Sequence, residues 1–290
     1  MRLKPLSGFV TICACALVPA AHFDNRARAA EADEFRKLIS ERSSALVTVK
    51  SVLKVKMTGF MSGGGDQESE NEVTGVMVGP RGLILCSNTQ LLGFSGTLNR
   101  MMGGMGGMSA TPTDLKVLVG DDTEGVEAEL LARDSELDLA WVRIKDPGDK
   151  TFEYIDFSKG AKPEIGQRVV ALRRLGKFFA RVSVALEDRI GGMTAKPREL
   201  YVPTGSGMGA LGMPVFLPDG QPVGVLVTQT PDEEEVEASP MMMLSRMSSF
   251  QDSMAGLILP ASDVARATAR ALETVGTQSD SGEGSASGEP

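Results

Sequence analysis

The 290-residue sequence predicts an all-β fold: two closed barrels in tandem, with a short helix at each end. Two observations carry this expectation. Twelve short runs rich in Val, Ile and Leu recur along the chain between turns of Gly, Pro or Asp, and a break at Pro147-Gly148 divides them six and six. Six strands suffice to close a barrel, so each half can remove its own exposed sheet edges.

The elements follow in order. Arg2 and Lys4 precede an apolar run, 9–21, that is too short for a settled bilayer span, and Ala27-Arg28-Ala29 offers a small-residue cleavage site. Residues 1–29 therefore read as an export signal, predicting a periplasmic or extracellular protein with no membrane insertion after cleavage. A leading helix is expected over 30–44, where Phe35, Leu38 and Ile39 share a face. The first barrel spans 45–146, with strands at 45–56, 72–78, 83–87, 115–119, 126–133 and 139–145. The second occupies 147–275, with strands at 168–173, 178–186, 200–203, 213–217, 223–228 and 257–259. It closes with a helix capped by Ser262, on which Val264, Ala267, Ala271, Leu272 and Val275 share a face. The Ser, Gly, Asp and Glu of 276–290 predict a disordered tail.

Charge and cysteine content narrow the function. Removing the signal takes out four basic residues and one acid, moving the net charge from −8 to −11. Such a balance argues against nucleic acid and anionic membrane surfaces, which call for clustered Lys and Arg. Cys13 and Cys15 lie in the signal, so Cys86 stands alone and no internal disulfide is expected. The only histidine is His22, also in the signal.

Three stretches carry a resemblance. Gly209-Ala210-Leu211-Gly212-Met213-Pro214-Val215 is followed by Asp219-Gly220, Val223 and Gly224; Asp134-Ser135-Glu136-Leu137-Asp138-Leu139-Ala140 by Val142 and Ile144; and Thr74-Gly75-Val76 by Gly82-Leu83-Ile84-Leu85 and Cys86-Ser87-Asn88-Thr89. In this order they resemble the trypsin-like serine proteases of the HtrA (Deg) type, over about residues 40–270. The resemblance implies a trypsin/chymotrypsin-like double β-barrel, without the PDZ domain that many relatives append.

It also implies a degenerate catalytic triad. The general base falls on Thr89, or on Gln90 one residue on; the acid that orients it falls on Asp138; the nucleophile falls on Leu211, between oxyanion-loop positions Gly209 and Gly212. Threonine, glutamine and leucine cannot do that chemistry, and the mature chain has no imidazole to replace them. The expectation is a pseudoprotease, a binding or scaffolding protein with no cofactor. Asp138 would be a buried or cleft carboxylate hydrogen-bonded to backbone amides or to Thr89.

Other readings stay open. An active serine endopeptidase could use a non-standard nucleophile, Ser206, with Lys196 the nearest lysine in sequence. Cys86 has no base and reads as a small core residue. The methionines Met101, Met102, Met105 and Met108 form one insertion, and Met241, Met242, Met243, Met247 and Met254 a second. Their thioethers could hold Cu(I), grip a protein or peptide partner, or simply form a flexible loop over the cleft. Leu211 and Met213 are expected to line an apolar cleft that takes such a partner. The acidic run 232–237 reads as a solvated loop.

Overall fold

The Val- and Leu-rich runs do become strands. In the computed structural model, which describes residues 21–57, 67–92, 108–205, 211–229 and 256–282, the first six are β1 (Leu46–Met57), β2 (Gln67–Gly79), β3 (Leu83–Ser87), β4 (Met108–Val119), β5 (Val126–Asp134) and β6 (Leu139–Ile144). They close a barrel in the order β1-β2-β3-β6-β5-β4, with β1 pairing antiparallel to both β2 and β4. The next six are β7 (Arg168–Arg174), β8 (Ser183–Met193), β9 (Tyr201–Pro203), β10 (Pro214–Phe216), β11 (Pro222–Val227) and β12 (Leu257–Pro260). Read from β7, their order is β7-β8-β9-β12-β11-β10, so the second barrel repeats the topology of the first. The helices are α1 (Ala21–Arg42), α2 (Asn88–Leu91) and α3 (Ala261–Gly282).

The barrels share a core. Along β7, Val169 and Ala171 face the interior of the second barrel, whereas Val170 and Leu172 join a cluster continuous with Val47, Ile84, Leu85 and Trp141 of the first. β11 divides in the same way, with Val223 and Leu226 inside its own barrel and Val225 and Val227 in the shared cluster. Strands apolar on both faces read as continuous runs rather than alternations, which is why Pro222–Val227 is buried throughout. α3 adds Val264, Ala267 and Ala271 to the shared cluster, and its Thr268 hydroxyl meets the Trp141 indole N–H at 3.1 Å. α1 contributes the buried Leu38 and reaches the second barrel through Arg42, whose guanidinium donates to the Gly220 carbonyl at 3.1 Å.

Four expectations are corrected. The strand expected at 178–186 starts only at Ser183, because Lys177–Phe179 forms a 3₁₀ turn and Ala180 and Arg181 take left-handed φ values of 52° and 51°. Two phenylalanines raise β propensity, but the local chain reversal overrides it. Met108 belongs to β4, its backbone opposite Met57, not to a loop. α1 covers Ala21–Arg42, more residues than the helix expected over 30–44, in keeping with the Ala- and Arg-rich text there. α3 starts at Ala261, before the expected Ser262 cap, continues to Gly282, and leaves Leu272 exposed.

Gly224 sets the closest approach between β11 and β12. A Cβ there would stand 1.9 Å from the Leu259 carbonyl oxygen and 2.9 Å from the Ile258 side chain. Gly224→Ala is expected to cost about 3 kcal/mol and lower the melting temperature by roughly 6–12 °C. Gly176→Ala, whose Cβ would meet nothing within 4 Å, should leave melting nearly unchanged. Calorimetry on the two variants checks this, and equal melting temperatures would contradict the strand spacing.

Candidate active site

The expected triad positions converge where the two barrels meet. Asp138 lies in the turn entering β6, with a left-handed φ of 58°, and is 2 % exposed. Its carboxylate accepts from the Thr89 amide at 2.7 Å, from the Thr228 amide at 3.1 Å, and from the Ser87 hydroxyl at 3.0 and 3.1 Å. Its own carbonyl accepts from the Asn88 amide at 3.1 Å. Donors from β3, α2 and the end of β11 thus surround one side chain.

The Ser87 hydroxyl works in two directions. It donates to Asp138 and, as the N-cap of α2, accepts from the Gln90 amide at 3.2 Å. Gln90 therefore spends its amide on Ser87, and Thr89 is the residue that faces Asp138. Burial pushes the Asp138 carboxyl above the usual carboxylate range, while the Thr89 and Thr228 amides and the Thr89 and Ser87 hydroxyls pull it back down.

The second barrel brings Leu211 and Gly212 to the same place. Gly212 adopts φ 78° and donates to the Leu226 carbonyl at 2.7 Å; a Cβ on it would lie 3.0 Å from the Ser87 amide nitrogen and 3.3 Å from the Thr74 carbonyl oxygen. Only a glycine fits both that φ and that contact. Leu211 is 2 % exposed and Met213 packs inside the second barrel. This corrects the expectation that the two line an open apolar cleft: both are buried, Met213 because it belongs to the core of its own barrel.

The remaining candidates separate. Cys86 is buried in β3, its thiol pushed up to about 12 by desolvation and by the nearby Asp138 charge, so it is neither thiolate nor nucleophile near neutral pH. Lys196 sits exposed between β8 and β9. Ser206, Gly209, Met101, Met102, Met105, the methionines of 241–254 and the acidic run 232–237 lie outside the described residues. Of Met108 only the backbone is placed, in β4. Among the described residues, no group of three His, Cys, Asp or Glu is arranged to hold a metal ion.

Sequence reasoning passed over Ser87 and Thr228 as partners of Asp138. Ser87 stands in the quoted Cys86-Ser87-Asn88-Thr89 stretch; Thr228 follows the strand of Val223 and Gly224, and its contribution is a backbone amide, which no side-chain pattern announces.

Two six-stranded antiparallel barrels with a buried aspartate at their junction have the architecture of the trypsin-like peptidases. Residues 73–225, just over half of the chain, match the family model of the trypsin-like peptidase domain, and the chain belongs to that family. It is also similar in structure to the protease domain of MamO from Magnetospirillum magneticum in its apo form, at 15 % sequence identity and a TM-score of 0.46, over 77 % of this chain and 95 % of that one. No curated protein matches the sequence.

Two outcomes follow from this geometry. Asp138→Asn presents an NH₂ to a ring of donors and should cost about 3 kcal/mol at neutral pH. Because the folded Asp138 has a raised pKa, its ionisation makes folding less favourable as pH climbs from the unfolded pKa through the folded one. The wild-type advantage over Asp138→Asn in urea unfolding should therefore shrink as pH rises from about 4 to 7, and an advantage that grows over that range would contradict it. For Leu211→Asp, burial of an uncompensated carboxylate is expected to lower the melting temperature by about 6 °C or more; a variant that melts like the wild type would place Leu211 at the surface.

Proposed function

We propose that this chain is an exported, catalytically silent member of the HtrA-type branch of its family, a pseudoprotease kept as a binding or scaffolding protein for a protein or peptide partner. The observation that carries the reading is the saturation of Asp138. In a working triad that carboxylate orients an imidazole; here amides and the Ser87 hydroxyl occupy it. The position facing it is Thr89 and the residue beside Gly212 is a buried Leu211, and neither can serve as base or nucleophile.

The Asn88 Oδ1 and the Thr228 Oγ1 are buried and have no hydrogen-bond partner among the described residues.

The purified protein is expected to leave casein intact and to resist fluorophosphonate probes, which need a serine activated by a base. Mass spectrometry after probe incubation reads the result. Stoichiometric labelling of any serine would overturn the proposal, and labelling at Ser206 would assign the active-peptidase alternative.

A further inference from the structure

The β7–β8 hairpin ends in a feature that the cleft does not use. Between Leu175 and Val182 the chain turns through Gly176-Lys177-Phe178-Phe179-Ala180-Arg181, closed by five backbone hydrogen bonds that include Leu175 N to Val182 O at 3.0 Å and Phe179 N to Gly176 O at 2.9 Å. At its tip Phe178 is 92 % exposed and Phe179 58 %, their rings edge to face with centroids 5.0 Å apart, and Val182 is exposed beside them.

This tip is held, not loose. The Arg181 guanidinium pairs with Glu72 of β2 at 2.7 Å, the Thr74 hydroxyl donates to the Arg174 carbonyl at 3.4 Å, and the Arg174 guanidinium donates to the Gly120 carbonyl. The base of the hairpin is thus tied to the first barrel while the aromatic pair projects from it. Two phenylalanines displayed on a fixed turn forgo apolar burial that nothing in the described fold supplies.

Charge says what the tip faces. Between Glu164 and Glu187 the sequence has five basic residues, Arg168, Arg173, Arg174, Lys177 and Arg181, and no acid, in a chain of net charge −8. Lys177, next to the rings, makes no ion pair with the described residues. The whole-chain balance argues against anionic surfaces; of these five, Arg168 is paired with Glu31, Glu34 and Glu187 and Arg181 with Glu72, which leaves Lys177 as the charge displayed at the tip.

We propose that the hairpin tip docks on an anionic phospholipid bilayer, with Phe178 and Phe179 entering the interfacial region and Lys177 among the headgroups. A protruding wedge needs no shape-matched partner when the acceptor is a fluid bilayer. A stable protein interface would call for about 800 Å² on each side, and along this hairpin the exposed large apolar side chains beside the two rings are only Val182 and Leu186. Lys177 at the tip also favours an approach in which the acidic body faces away from the membrane. The inference does not depend on whether the cleft is silent.

The test uses the full chain carrying Phe178→Trp. Trp141, the one native tryptophan, is 2 % exposed, so a new indole at the tip reports locally even if the apolar leader 9–21 also holds the chain to vesicles. With vesicles of phosphatidylcholine containing about one quarter phosphatidylglycerol, its emission should shift to the blue and be quenched by brominated acyl chains, and adding Phe179→Ser or Lys177→Glu should weaken that response about tenfold. Melting temperatures of these variants should match the wild type, because the positions face solvent. An indole that stays in water at saturating vesicle concentrations, or a response indifferent to Phe179→Ser, overturns the proposal. Burial of the indole by a protein partner but not by vesicles would also overturn it, in favour of protein docking.

Discussion

One buried carboxylate joins the two halves of this molecule. Asp138 stands in the first barrel, yet one of its donors is the amide of Thr228, at the end of a second-barrel strand. The others come from Ser87 and Thr89, which end β3 and begin α2. The Ser87 amide in turn lies against Gly212, where the second barrel reaches over. If the carboxylate moved, the cap of α2, the turn into β6 and the approach of residues 211–212 would all lose their reference point. A hydrogen bond to a charged acceptor is stronger than a neutral one, and in a site closed to water it is costly to leave unmade.

Much of this was legible in the sequence, for a physical reason. Strands covered on both faces carry little but Val, Leu and Ile, so β3 and β11 appear as apolar runs and their bounds fall within a residue of expectation. The turn around Asp219-Gly220 reads equally well, because Asp-Gly is a local signal, and Gly220 donates there to the Leu217 carbonyl at 2.9 Å. What failed was non-local or sterically unmarked. The reversal at Ala180 and Arg181 uses left-handed backbone without a glycine to announce it, and Phe178-Phe179 argued for a strand meanwhile. The burial of Leu211 could not be read either, since it depends on tertiary packing that no local pattern marks.

The motif residues divide by what they do. Gly75, Gly212 and Gly224 answer to geometry: a Cβ at Gly75 would lie 2.6 Å from Ile84, and the corresponding contacts at Gly212 and Gly224 are 3.0 and 1.9 Å. Any chain folding into these barrels meets those constraints, whether or not it does chemistry. On the proposed reading, Thr89 and Leu211 stand where only a reaction would demand histidine and serine. Leucine at 211 is compatible with the fold because it is buried there, and threonine at 89 because its backbone amide, rather than its side chain, makes the shortest bond to Asp138. Family membership is thus carried by the architectural half of the motif.

Asp138 belongs to both halves, which on the proposed reading is how it would outlast the chemistry. Its partners include two backbone amides, and no substitution at Thr89 or Thr228 short of proline removes them. Replacing the carboxylate by an apolar residue would leave those amides and the Ser87 hydroxyl unsatisfied in a site closed to water, at about 1–3 kcal/mol each. Losing the base or the nucleophile carries no such cost to the fold. A site of this kind could shed its reactive groups one at a time while the carboxylate between the barrels stays fixed, since what holds Asp138 in place is the donors of both barrels rather than a base.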